Sequence, residues 1–136
     1  MLSIKRIEKL TETGHFGQLI REVAANGRPI NPTDRSHLND PRTLKPAAIG
    51  LGIRRITELS FTLSPTTRKL LNLLLQYQQD TGSFGSITAT EIALQALQAV
   101  RNQGGTREVQ PTLDQAIKAA EMWLKQQQNE PPALAS

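Results

Sequence analysis

At 136 residues the chain has room for one domain with its own core, and 38% hydrophobic but only 4% aromatic content calls for a core of Leu, Ile, Ala and Val. It has no cysteine, which excludes disulfides, thiolate catalysis and cysteine zinc sites; no apolar run approaches the ~20 residues of a membrane span. The formal charge of +4 is unevenly placed: residues 1–69 carry twelve Lys/Arg against six Asp/Glu, a balance of +6, and residues 70–136 carry four against six, a balance of −2.

The N-terminal ten residues, MLSIKRIEKL, place charges inside an apolar periodicity. They therefore read as a helix, not as a secretion signal, and the cytoplasm is the expected location. Ile4, Ile7 and Leu10 share one face, with Lys5, Arg6 and Lys9 turned away. After the turn Thr13-Gly14-His15-Phe16-Gly17, a second stripe runs through Phe16, Leu19, Ile20, Val23 and Ala24 to Asn26-Gly27.

Residues 28–45 contain three prolines and mostly polar side chains, so a loop is expected, with one helical turn near 34–38. Its Arg28, Arg35, Arg42 and Lys45 are candidate contacts for a partner or for phosphate. Pro46 opens a predicted helix to about Ser60, with Ile49, Ile53, Ile56 and Leu59 on one side and the further candidates Arg54 and Arg55 off it. Gly50 and Gly52 either weaken that helix or let a neighbour come close.

Ser64-Pro65 is a helix start: a hydroxyl to cap free N–H groups, then a residue that has none. Leu70, Leu71, Leu73, Leu74, Leu75 and Tyr77 leave little polar circumference, which predicts burial on most sides, and Gly82 is the expected stop. Thr88 and Glu91 have capping-box spacing for a return helix alongside, whose stripe is Ala89, Ile92, Ala93, Ala96, Leu97 and Val100. A polar loop over 102–110 leads to a last helix from Pro111-Thr112, with Leu113, Ala116, Ile117, Ala120 and Leu124 in its stripe and Trp123 at the edge. The residues from 126 on read as a fraying tail.

Thr81-Gly82-Ser83-Phe84-Gly85 matches the first turn in four of five residues, 68 positions on. Gly14, Phe16, Gly82 and Phe84 are therefore expected structural turn residues. The predicted fold is all-α, a bundle of five or six helices in antiparallel hairpins. One domain spans 1–128, as units 1–60 and 64–128, with a flexible tail over 129–136. The parallel order of the units reads either as an internal duplication or as two hairpins sharing one turn grammar.

Lys69, Leu73-Leu74-Leu75, Gln79, Gly82 and Phe84 resemble the glutamine-aromatic repeat of terpenoid cyclases and protein prenyltransferase β subunits, which joins the helices of an α/α toroid. Here the repeat ends in Gly-Ser-Phe rather than Gly-x-Trp, and the aromatic before the aliphatic triplet is missing. Lys118-Ala119, Trp123-Leu124 and Gln126 to Gln128 resemble the first half of a second copy, with Pro131 where its turn would be. The family's chemistry needs an aspartate-rich motif or an Asp/Cys/His zinc site. Asp34, Asp40, Asp80 and Asp114 are isolated in this sequence. Ile87 to Ala93 resembles the first helix of a winged helix-turn-helix, but Leu94 to Val100 continues one helix where the turn should come.

His15 and His37 have no second ligand at metal spacing and no catalytic companions. No catalytic residue, metal site or cofactor is therefore expected, and the chain reads as non-enzymatic. The favoured expectation is a small adaptor or subunit acting through helix-face contacts, with another protein or its own copy as partner and Trp123 as interface anchor. The alternative is a nucleic-acid-associated subunit using the basic first half, and the third is a fragment or relative of a cyclase-like enzyme.

Overall fold

In a computed structural model, residues 3–25, 41–60, 62–104 and 106–129 are described. Those residues form six helices packed on one another: α1 (Ile4–Glu12), α2 (Phe16–Ala25), α3 (Pro41–Leu59), α4 (Pro65–Leu75), α5 (Ile87–Arg101) and α6 (Gln110–Asn129). The only extended pairing among them is a parallel bridge between Thr62 and Gly104. The fold is all-α, as the sequence predicts. Arg28, Arg35 and the helical turn expected near 34–38 lie outside the described residues.

α1 starts where the Ser3 hydroxyl accepts the Arg6 N–H. It stops at Gly14, whose φ of 77° lets the His15 N–H reach the Leu10 carbonyl at 2.9 Å and its own N–H reach Thr11 at 3.2 Å. These are the paired bonds of a Schellman cap, with glycine at the left-handed position. Phe16 then begins α2 and is buried, with Leu19, Ile20 and Val23.

α3 corrects the sequence reading. It begins at Pro41, and Pro46 lies inside it. Either proline could occupy a first turn, where no N–H is needed; the structure uses the earlier one, and the later one simply leaves the Arg42 carbonyl without its helical donor. Residues 41–45 thus pass from the expected loop to helix. A Cβ on Gly50 would stand 3.0 Å from Ile92 Cγ2 of α5, and one on Gly52 would stand 3.1 Å from Ile7 Cγ2 of α1. The two glycines let α3 be approached closely from both sides, so it is the centre of the bundle.

The hairpin of α4 and α5 also differs from expectation. Ser64 caps α4, its hydroxyl accepting the Thr67 N–H at 3.1 Å, with Pro65 following as predicted. The helix ends at Leu75, not near Gly82, and its last turn tightens through Gln76, Tyr77 and Gln78 N–H groups bonded three residues back. An eleven-residue connection follows, and α4 rests more on α3 than on α5. α5 instead packs most on α3, then on α6, through the buried small residues Ala89, Ala93 and Ala96. α5 is capped by Ser86, whose hydroxyl accepts the Ala89 N–H at 3.1 Å, rather than by Thr88. Thr90, buried in the first turn, accepts the Phe84 N–H at 2.9 Å and donates to the Ser86 carbonyl at 2.7 Å.

The last helix begins at Gln110 rather than with a Thr112 cap, and it runs to Asn129, past the expected start of fraying. In the two halves the TGxFG segments share a positive-φ glycine and a buried phenylalanine. They differ in use. Gly14 ends a helix and Phe16 starts the next, whereas Gly82 lies within a loop and α5 starts three residues after Phe84.

Candidate interaction surface

α5 and α6 run antiparallel. At one end Arg101 Nε lies 2.5 Å from Asp114 Oδ1; at the other, the segment leading into α5 meets α6 at Gly82. A Cβ on Gly82 would come within 2.2 Å of the Ala119 carbonyl oxygen, so only glycine permits this approach, and its φ of 97° is of the kind glycine adopts without cost. Gln78 fastens the same junction, its amide nitrogen donating to Gly82 O at 3.2 Å and Ala116 O at 3.0 Å.

Leu113, Ala116, Ile117 and Ala120 of α6 are buried, as their spacing predicts. One turn further the stripe continues in Trp123 and Leu124, which are only half-buried. Nine more residues of the helix, roughly 13 Å at helical rise, follow Ala120, and none of those up to Gln127 is fully buried. Met122 is 55% exposed in this stretch, and Ile87, first residue of α5 at the same end of the pair, is 49% exposed. Glu91 on α5 and Lys118, Glu121 and Lys125 on α6 are exposed as well. Trp123 was legible as an anchor candidate. Ile87 and Met122 were not singled out, though the signal existed: both are large apolar residues lying off the buried stripe of their helix.

The basic candidates fare differently. Lys45 is exposed on α3, its ammonium 6.0 Å from the centroid of the Phe16 ring. Arg42 lies in the first turn of α3. Arg54 is not a free surface cation: its guanidinium donates to the Gln95 amide oxygen and joins α3 to α5. Arg55 pairs with Glu58 at 3.1 Å, its side chain is 16% exposed, and its Nε is buried without a hydrogen-bond partner.

Other cations are committed as well. Arg6 donates from Nε and Nη2 to the two oxygens of Glu22 at 3.2 and 3.0 Å, and Gln18 donates to the same carboxylate. This holds the Glu22 carboxyl below the usual carboxylate range and the Arg6 guanidinium above its own ordinary value. The Thr66 hydroxyl donates to Glu8, with Lys69 Nζ 3.5 Å away, and together they lower the Glu8 carboxyl.

Among the described residues no three acidic or histidine side chains gather as metal ligands, and no helix is long and apolar enough to cross a membrane. His15 is exposed, its Nδ1 2.7 Å from the Thr13 hydroxyl. No protein-family model, curated protein or solved structure matches the chain.

Proposed function

We propose that the protein is a non-enzymatic adaptor or subunit that binds another protein through the Ile87, Met122 and Trp123 end of the α5–α6 pair. The observation that carries this reading is the buried stripe of α6 running out of its own core while Ile87 and Met122 remain about half exposed. Covering side chains of this size is worth about 1–2 kcal/mol each at ~25 cal/mol per Å². That is enough for a hot spot when a polar rim excludes water.

The nucleic-acid alternative draws on the basic first half and on exposed Lys5, Lys9 and Lys45. Engagement of Arg6, Arg54 and Arg55 within the fold weighs against it, because phosphate binding needs cations with reach.

The two readings separate in one experiment. Immobilised wild-type protein and its Met122→Glu and Lys45→Glu variants are exposed to cell extract and washed at about 50 and 200 mM salt, a range over which several phosphate contacts lose orders of magnitude in affinity. The protein-contact reading expects a retained protein that survives the salt change, disappears with Met122→Glu and persists with Lys45→Glu. Retention of nucleic acid that collapses with salt and with Lys45→Glu would replace it.

A further inference from the structure

Sulfur occurs at two positions in the sequence, Met1 and Met122, and cysteine at none. Among the described residues the buried hydrophobic side chains are Ile, Leu, Val, Ala and Phe, with no thioether among them. An oxidant that attacks sulfur therefore finds nothing to damage inside this core. Met122 stands apart from it. It is 55% exposed, and two positions past the buried Ala120 it lies more than half a turn round α6 from that residue, away from the buried stripe. Lys118 and Lys125, one turn to either side, are exposed too, so the thioether is open to small solutes.

Oxidation to methionine sulfoxide replaces a flexible apolar side chain by a polar, chiral one, and methionine sulfoxide reductases reverse it. At most exposed positions that change has no consequence. Here it falls on one of the three apolar side chains, with Ile87 and Trp123, at the end of the α5–α6 pair. A partner that buries Met122 gains apolar contact; burying the sulfoxide instead means stripping water from a strongly polar S–O group.

We propose that Met122 is a site of reversible oxidation by hydroperoxides and that its sulfoxide turns off protein binding at this end of the molecule; the inference rests on the binding reading above. The Met122 sulfur attacks the terminal oxygen of the hydroperoxide, the O–O bond breaks and an S–O bond forms. The hydroxyl now on sulfur gives its proton to the departing hydroxide or alkoxide, which leaves as water or an alcohol. Sulfur gives up an electron pair and the peroxide receives it. Thiol-dependent reductases run the reverse change, the oxygen leaving as water while a thiol pair becomes a disulfide.

The test treats the intact immobilised protein with hydrogen peroxide, washes it and exposes it to cell extract. A peptide map gives the fraction with an added oxygen at residue 122, and thermal unfolding reports on the fold. The proteins counted are those that untreated wild type retains and Met122→Glu does not. Oxidation at residue 122 is expected to lower their retention about tenfold, the weight of one buried apolar side chain, at unchanged Tm. Treatment with both methionine sulfoxide reductases is expected to restore it. Met122→Leu, which has no sulfur there, is read as a ratio, and that ratio of retention before and after peroxide is expected to stay at one. Unchanged retention with residue 122 oxidised, an equal loss in Met122→Leu, or a fall in Tm on oxidation overturns the switch and leaves the binding reading standing. If untreated wild type retains nothing that Met122→Glu loses, the binding reading falls and the switch falls with it.

Discussion

The contact between Gly82 and α6 can be separated from backbone conformation by comparing two glycines. Gly14 and Gly82 both have positive φ, 77° and 97°, so alanine at either position incurs left-handed strain of about 1 kcal/mol. At Gly14 the new methyl meets nothing within 4 Å. At Gly82 it would lie 2.2 Å from Ala119 O and 2.6 Å from Ala119 C, backbone atoms of a packed helix that cannot turn aside as a side chain could. Displacing α6 adds the 1–3 kcal/mol typical of overpacking, so Gly82→Ala is expected to lose about 3 kcal/mol in all. For a chain of this length that corresponds to roughly 10 °C in Tm, against 3–4 °C for Gly14→Ala. Urea unfolding of both variants measures the difference. Equal losses would refute the α6 contact as the reason for glycine at 82.

Two further outcomes follow from the same geometry. Gln78→Glu removes both amide donors and places a carboxylate against the Gly82 and Ala116 carbonyls, so a loss of about 2 kcal/mol is expected in chemical unfolding; Gln78→Ala should fall short of it. The Glu8 and Glu22 carboxyls are depressed in the folded state, Glu8 by the Thr66 hydroxyl and Glu22 by Arg6. Their contribution to stability is therefore present above the unfolded glutamate value of about 4.3 and is lost as pH falls through the lower folded values. Tm measured from pH 6 downward should fall across that acid window, and Glu22→Gln should lower Tm on the neutral side and flatten the fall toward acid.

Helix existence and most buried faces were legible because they depend on local repetition. Leu19, Ile20 and Val23 on α2, and Leu113, Ala116, Ile117 and Ala120 on α6, announce their burial by spacing alone. Helix limits were less so wherever two residues offered the same chemistry. Pro41 and Pro46 can each occupy a first turn, and Ser86 and Thr88 can each cap α5; tertiary packing made the choice. The partner of α5 was hidden for another reason. Sequence adjacency suggests α4, but the close approach permitted by Gly50 is a long-range fact that a glycine inside a helix signals only ambiguously.

The candidate surface was half legible. Trp123 stood out by type, whereas Ile87 and Met122 become meaningful only once the antiparallel α5–α6 pairing puts them at one end. Conversely, Arg54 and Arg55 look available in sequence because they lie off the apolar stripe of α3. The structure spends their charge on Gln95 and Glu58.

Site-specific photo-crosslinking in cells tests the central claim most directly. A photoreactive phenylalanine analogue replaces Met122 in one protein and Lys45 in another, both surface positions where substitutions usually change stability by less than about 0.5 kcal/mol. The account expects position 122 to give a discrete adduct with one protein and position 45 to give none. Adducts only from position 45, or nucleic acid captured there with nothing at position 122, would contradict it.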